Sequence, residues 1–402
     1  MECMDYIQRT IEPSLTATVK AKKSVLLLGP RQTGKSTLIS HLKHDLLLNF
    51  IRPDVRQRYE QHPELLTKET EYLASTMRRT PLVILDEVQR VPVLMDVVQD
   101  LIDRHVGQFI LLGSSARKLR RNASMNLLPG RLLSFRLDPL SQEEWNHASI
   151  EDLLLYGSLP GIIQEKTISQ KELALRCYVT TYLEEEVRAE ALVRKIADFG
   201  RFLELAASES GHLTNFRSLS QEIGIAHTTI QSYYQILEDC LIVERVEPFT
   251  RSKTRRKLTR SSKYLFFDLG VRRTAAREGT HPPRDTWGSL LEQYVGLELI
   301  RIARQQLEHV SVHFWRDLDG PEVDWVLRKE KELIPIEVKW TDRPRKEDVR
   351  HLQTFMHEYP EAKHAFIVCR TPHAYKLDTG ITALPITQIH RIFTPPPHTR
   401  SR

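Results

Sequence analysis

The stretch Gly29-Pro30-Arg31-Gln32-Thr33-Gly34-Lys35-Ser36, continued by Thr37, decides how this chain folds. Its spacing is G-x-x-x-x-G-K-S, with the apolar run Val25-Leu26-Leu27-Leu28 before it and the helix-forming run Thr37-Leu38-Ile39-Ser40-His41-Leu42 after it. Strand, glycine-bearing loop and helix N-terminus in that order make a phosphate cradle. The glycines let backbone amides approach an anion, and the helix end adds positive potential. On this reading Gly29, Pro30, Arg31, Gln32, Thr33, Gly34 and Thr37 wrap the phosphates of a nucleoside triphosphate. Lys35 reaches the β- and γ-phosphates and Ser36 holds Mg²⁺. An ordinary glycine turn is the plain alternative, and the strand–loop–helix context tells against it.

Working outward, Pro81-Leu82-Val83-Ile84-Leu85-Asp86-Glu87 reads as a buried parallel strand. Its acids fall at the C-terminal end, where open α/β sheets bind ligands. Asp86 is expected to orient Mg²⁺ through its water shell, and Glu87 to polarise the attacking water. A third strand, Gln108 to Gly113, ends at Ser114, which is either a γ-phosphate sensor or a plain serine turn. Arg131, in Leu128-Pro129-Gly130-Arg131, is either an arginine finger or a surface ion-pair arginine.

A chain of 402 residues exceeds one ordinary domain and fits about two or three. The apolar fraction of 41% supports real cores and argues against wholesale disorder. No apolar stretch reaches the roughly 18 residues of a membrane span. The opening Met1-Glu2-Cys3-Met4-Asp5-Tyr6 lacks a signal-type core. Cys3, Cys177, Cys240 and Cys369 show no paired metal spacing, so a reducing, cytoplasmic location is expected. A net charge of +6 tilts the choice of partner weakly toward nucleic acid.

Residues 1–150 then read as an ATPase domain and 151–210 as a helical connector, where Glu184-Glu185-Glu186 marks a solvated helix face. Residues 211–278 carry Leu219 to Gly224 and Ala226 to Leu237, two short helices with a glycine break. The second starts with hydroxyl-rich polar residues, the pattern of a helix-turn-helix, with Thr228 and Gln231 toward nucleic acid. Tyr233 and Tyr234 fall at core positions. A wing follows, Leu241 to Val246 and Tyr264 to Phe267. Between these strands Arg251, Lys253, Arg255, Arg256, Lys257, Arg260 and Lys263 place seven cations and no acid in thirteen residues. Such a cluster suits a phosphate backbone, DNA in the first place. Winged helices also serve as scaffolds for protein partners, and that alternative stays open.

Beyond His281-Pro282-Pro283-Arg284, residues 279–390 form a further unit, and the proline-rich tail of 391–402 reads as disordered. A helix over Gly288 to Ala303 carries Glu292. Three alternating runs then read as antiparallel strands, with Asp324 on the second and Glu337 and Lys339 on one face of the third. Asp324, Glu337 and Glu292 are candidate ligands for a divalent metal, and Lys339 a candidate for positioning water or steadying charge at phosphorus. A plain Glu337–Lys339 surface ion pair is the bland alternative.

The segments Gly29 to Ser36, Leu85-Asp-Glu-Val-Gln-Arg90, Leu112-Gly-Ser-Ser115, Leu128 to Arg131, Leu137 to Ser141 and Leu155 to Gly161 resemble prokaryotic AAA+ ATP-binding proteins over nearly the whole chain. The resemblance implies a P-loop α/β fold, ATP and Mg²⁺. It also implies rings or filaments, in which Arg131 acts in cis or in trans. The order helix Glu, strand Asp, Glu-x-Lys is similar to the PD-(D/E)xK nucleases over about the last 120 residues, with Val323-Asp324 where Pro-Asp is common. That likeness implies a restriction-endonuclease-like α/β domain, active as a nuclease or retained for binding. The fold class expected is therefore α/β: a P-loop AAA+ ATPase, a winged-helix middle and a nuclease-like C-terminal domain. The function expected is ATP hydrolysis coupled to nucleic-acid engagement, against a nucleotide-dependent switch that binds a protein partner.

Overall fold

Unbroken aliphatic runs sit best where both faces of a sheet are covered, and the three inner strands of the first sheet of this computed structural model are buried along their whole length. The structure describes residues 6–114, 130–183, 196–250, 261–317 and 320–394. The basic residues Arg251, Lys253, Arg255, Arg256, Lys257 and Arg260, the acid run at Glu184 and the tail from Pro395 lie outside the described residues. Strand β1 (Ser24–Leu28) pairs in parallel with β4 (Gln108–Gly113) and β5 (Leu132–Arg136). β3 (Leu82–Asp86) lies between β4 and β2 (Leu46–Asn49), giving the order β2-β3-β4-β1-β5.

Parallel strands need crossovers, and α2 (Lys35–Ser40), α3 (Pro53–Gln61), α4 (Glu64–Met77) and α5 (Leu94–Asp103) lie between them in sequence, while α1 (Glu12–Lys20) precedes β1. Alternate strand residues serve opposite cores. Leu26, Val83, Leu85 and Leu111 meet Phe50, Tyr59, Leu94 and Val98, while Val25, Leu27, Ile84 and Ile110 meet Leu15, Leu38 and Ile39. Because the strands share a direction, the ends of β1, β3 and β4 bring the phosphate loop, Asp86 and Ser114 to one edge.

The middle is built from α6 (Ile150–Tyr156), α7 (Pro160–Ile163), α8 (Ile168–Cys177), a π-helical turn (Tyr178–Leu183) and α9 (Ile196–Ser208). α10 (Phe216–Ile223) starts on the Asn215 side chain and stops at Gly224, whose φ of +83° is the left-handed conformation that ends helices. α11 (His227–Asp239) follows, then the antiparallel pair β6 (Val243–Val246) and β7 (Lys263–Phe266), and α12 (Leu269–Ala275). Tyr233 and Tyr234 are 7% and 1% exposed, so they are packing residues, and Tyr234 lies 4.3 Å from the Tyr264 ring.

The last unit runs α13 (Thr286–Gln305), β8 (Val310–Arg316), β9 (Glu322–Lys329), β10 (Glu332–Lys339), α14 (Arg350–Glu358), β11 (Ala365–Cys369), β12 (Tyr375–Asp378) and β13 (Ile381–Pro385). β8, β9 and β10 are antiparallel as their alternation predicts, whereas β10, β11 and β13 are parallel. α13 lies hard on β9: a Cβ at Gly296 would stand 2.4 Å from the Trp325 ring. Leu290, Leu291 and Val295 of α13 share one core with Leu153 and Leu154 of α6, Val246 and Leu265. The middle and last units are therefore welded by apolar contact.

Polar contacts complete the weld. Arg301 is 5% exposed and donates to Glu298 Oε1 at 2.8 Å, the Phe267 carbonyl at 3.0 Å and the Leu140 carbonyl at 3.2 Å. Arg301→Ala leaves Glu298 buried without its counter-charge, a loss of about 3–5 kcal/mol. The urea midpoint of the purified chain should fall accordingly, and Glu298→Gln in the same chain should recover part of the loss. An unchanged midpoint in the single variant would remove this pair from the stability of the fold.

Candidate nucleotide site and a second acidic centre

The phosphate loop is held in shape before any ligand contributes. Gly34 has φ +92°, and a Cβ at Gly29 would stand 2.3 Å from the Leu137 carbonyl oxygen, so neither position tolerates a side chain. Thr33 is fully buried and its hydroxyl donates to the Pro30 carbonyl at 3.0 Å. The Lys35 ammonium donates to the carbonyls of Gly29 and Pro30 at 2.7 and 2.8 Å, which aims it along the loop. Ser36 and Thr37 begin α2 and are exposed at its mouth, with Arg31 and Gln32 on the loop's rim.

Three supports of this loop lie far away in sequence, and local motifs give no sign of them. Arg9 donates to the Thr33 carbonyl and to the Asp138 carbonyl, each at 2.7 Å, and pairs with Glu144 at 3.1 Å. Tyr178, at the start of the π-helical turn, donates to the Arg31 carbonyl at 3.2 Å. Leu137 and Asp138 immediately follow β5.

The Ser36 hydroxyl donates to Asp86 Oδ2 at 3.1 Å, and the Asn49 amide donates to the same oxygen at 3.3 Å. Burial raises the Asp86 carboxyl above the ordinary range, opposed by the Ser36 hydrogen bond and the Lys35 charge. A hydroxyl and a carboxylate facing each other beside a lysine form a donor set that suits Mg²⁺ on a triphosphate. Glu87 occupies the left-handed region at φ 58°, an unfavourable conformation for a glutamate. Its carboxylate accepts from the Gln89 amide at 2.6 Å, and the same nitrogen lies 3.3 Å from Ser114 Oγ. Glu87 and Ser114 are thus brought together by a buried glutamine whose role sequence reading missed.

Arg131 does not join them. It precedes β5, where Leu132 pairs with Ser24 at the start of β1, so it stands at the opposite edge of the sheet, about 15 Å from the phosphate loop. Its guanidinium is engaged by Asp103 at 2.5 and 2.9 Å. Of the two readings left open for Arg131, the ion pair is the contact this arrangement contains.

The second centre lies on β9 and β10. The antiparallel register aligns Trp325 with Ile336, which sets Asp324 beside Glu337. Asp324 Oδ2 accepts from the Val338 amide at 2.8 Å, and Lys339 Nζ donates to Glu337 Oε1 at 2.7 Å. Glu337 is 4% exposed and its Oε2 has no hydrogen-bond partner among the described residues. Burial, then the charges of Glu337 and Glu292, push the Asp324 carboxyl well above its ordinary value. Burial also raises Glu337, while Lys339 counteracts it. For Lys339 burial opposes the charge, yet Glu337 outweighs it and holds the ammonium above its ordinary range.

Glu292 is close enough to act on Asp324 but is held by Lys263 at 2.7 Å. Lys263, expected among the cations of the basic loop, instead faces this centre from β7, over the Phe314 and Trp325 rings at 5.3 Å each. Among the described residues no group of three or more His, Cys, Asp or Glu is arranged to hold a metal ion, so Glu292 does not complete the expected ligand set in this arrangement. The orphaned Glu337 oxygen beside Asp324 nonetheless fits a cation. Thr228 and Gln231 are exposed on the first turns of α11, with Ile230 turned into the core. No helix among the described residues is long and apolar enough to cross a membrane.

Comparison with known proteins follows the same three parts. Residues 147–281 match a domain of unknown function (DUF8612), and residues 287–389 match another (DUF4143). The chain is similar to the uncharacterized proteins Rv2008c of Mycobacterium tuberculosis and Mb2031c of Mycobacterium bovis. Each is 26% identical over 399 residues, which cover 97% of this chain and 86% of the relative. Protein VC1899 from Vibrio cholerae, a solved structure, aligns over 93% of this chain and 97% of its own at 11% identity and a TM-score of 0.21, too low to carry a conclusion about fold. Residues 21–146 match an AAA domain, so the part of the chain that holds the phosphate loop, Asp86 and Glu87 is of the AAA ATPase type.

Proposed function

We propose that this chain is a Mg²⁺-dependent ATPase whose nucleotide state governs engagement of nucleic acid, DNA in the first place, by its C-terminal half. We further propose that Asp324, Glu337 and Lys339 serve phosphodiester cleavage there. In the ATPase half, Lys35 neutralises charge on the β- and γ-phosphates and Glu87 orients a water against the γ-phosphorus, with ADP as the leaving group. Ser36 and Asp86 would hold the cation. Arg131 is left for a neighbouring copy, which makes a homo-oligomer part of this reading.

The observation that carries the C-terminal proposal is Glu337 Oε2, a buried oxygen without a hydrogen-bond partner among the described residues, beside the half-buried Asp324 and a lysine. Unpaired buried polar atoms are costly, and they persist where a ligand satisfies them. A divalent cation, when bound, supplies charge neutralisation and an acidified water. Lys339 then stands beside the scissile phosphate as a fixed positive charge. The order of α13, three antiparallel strands, α14 and a strand parallel to β10 supports a PD-(D/E)xK-like core. α10, α11 and the β6–β7 pair have the order of a winged helix, which supports assigning Thr228 and Gln231, and the basic residues between the strands, to nucleic acid.

One observation favours a second reading. Glu292 is engaged by Lys263 rather than gathered with the other acids, as expected if the fold is kept to bind a protein partner without cutting. The two readings separate on activity. Lys35→Ala should abolish ATP hydrolysis, and an unimpaired rate in that variant would end the ATPase assignment. Asp324→Ala and Glu337→Ala should each abolish Mg²⁺-dependent DNA cutting by the full chain. Cutting that survives both would belong to a contaminant.

The raised Asp324 carboxyl gives a test that needs no activity. Its folded state holds the proton more tightly than the unfolded chain does. The stability it contributes is therefore present at low pH and lost as pH rises through the raised value. Asp324→Asn, neutral throughout, should melt higher than the native chain at neutral pH without divalent cation, by about 2–4 °C for each kcal/mol relieved. It should also lose the rise in melting temperature that Mg²⁺ or Mn²⁺ gives the native protein. A variant that melts no higher than native and still responds to the cation would refute the site.

A further inference from the structure

At the edge of the last sheet, β10 and β11 run parallel and end together. Trp340 follows Lys339 there and stacks on Trp287, near the start of α13, with ring centroids 5.2 Å apart and planes 17° from parallel. The guanidinium of Arg370, which follows β11, lies 4.4 Å from the Trp340 ring centre. Core tryptophans of this unit are closed off: Trp325 is 0% exposed and Trp315 3%. Trp287 and Trp340 remain half-buried at the open end of the sheet, immediately beyond Glu337 and Lys339. The loop that leaves Trp340 presents Arg343, Arg345 and Lys346, all exposed and without an ion pair to any described residue; of the exposed acids flanking them, Asp342 is paired with Arg370 at 3.3 Å and Glu347 follows Lys346.

We propose that this edge binds a single-stranded stretch of nucleic acid. One base stacks on the Trp287–Trp340 pair, the backbone follows the loop of residues 343–346, and the strand is led toward Asp324, Glu337 and Lys339. An aromatic platform beside a basic track is how proteins hold unpaired strands, because every base has a π face and every link a phosphate. A base inside a duplex is already stacked and must be withdrawn at a cost before it can use the platform. The assignment deepens the nucleic-acid reading given above, since it names the form of polymer that the acidic centre meets.

The test uses the full chain carrying Asp324→Asn, so that no strand is cut, with fluorescent oligonucleotides about 15 nucleotides long. Single-stranded DNA, RNA of the same sequence and blunt duplex DNA are titrated by anisotropy. A single strand should bind at least about tenfold more tightly than the duplex, and the better of the two strands identifies the polymer. Trp287→Ala and Trp340→Ala should each weaken single-strand binding about 5–100-fold, with Trp340→Phe restoring most of it. ATP hydrolysis by these variants should stay at the native rate, which shows that they fold.

Replacing Arg343, Arg345 and Lys346 together by Ala should reduce the slope of log K against log salt by roughly 2 for single strands. Equal affinity for duplex and single strand, native-like binding by both alanine variants, or an unaltered salt slope would each overturn the proposal. Failure of the nuclease reading looks different. A native chain that cuts nothing with Mg²⁺, yet binds single strands through Trp340, would sink cleavage and leave this inference standing.

Discussion

The structure depends on a single, largely covered carboxylate, Asp138. It leaves β5 at the edge of the ATPase sheet and receives Arg136 from that strand and Arg304 from α13, at 2.9 Å each. The same two guanidiniums hold Glu244 on β6, so the three parts of the chain meet at one cluster of charges. Burial works against ionising Asp138, yet Arg304, Arg136 and Arg301 hold its carboxyl well below the ordinary carboxylate range. In a low-dielectric setting such a cluster is worth little more than a hydrophobic substitute. Removing one member leaves the others charged and partly buried without their partner, which costs more than the pair itself contributes. What the cluster contributes is register: it fixes where α13 lies against the ATPase.

That register has a mechanical consequence. Arg9 touches both the Asp138 carbonyl and the Thr33 carbonyl of the phosphate loop. A shift of the loop therefore loads the residues that seat one end of α13. The helix has 20 residues and is about 30 Å long. Glu292, nearer its other end, contacts Lys263 and acts on Asp324. Tyr178 gives the loop a second tie, into the helical middle. Because α13 shares one apolar core with α6, β6 and β7, the middle and last units respond to such a load together rather than separately.

How much of this was legible follows from where the information sits. The phosphate loop is a contiguous motif, and its strand and helix announce themselves by apolar period, so the nucleotide edge could be read from residues alone. Asp324, Glu337 and Lys339 were legible because β9 and β10 are neighbours in sequence and alternate cleanly. Arg9, Gln89 and Tyr178 were not, since each acts through a backbone carbonyl or an amide that no local pattern marks. Lys263 was misread because it ends a run of cations in sequence, while β7 delivers it to Glu292 in space. Arg131 could not be placed from residues alone, because a glycine–arginine turn suits a finger or an ion pair and only the parallel register of β5 shows which edge of the sheet it occupies.

The two candidate sites and the charged seam differ in how their polar groups are satisfied, and that difference bears on function. At the seam Arg301 has four acceptors and Asp138 two guanidiniums, so nothing there asks for a further ligand. At the nucleotide edge Glu87 sits in a left-handed conformation, and the Gln89 side-chain Oε1 is buried without a hydrogen-bond partner among the described residues. At the acidic centre Glu337 Oε2 likewise lacks a partner among the described residues, beside an Asp324 whose ionised form burial disfavours. Local costs of this kind persist only where the surroundings enforce them, and they concentrate where ligands and reactions are accommodated. The chain thus spends its stability at two edges and recovers it along the seam between them, the distribution expected if the seam holds still while both edges exchange ligands.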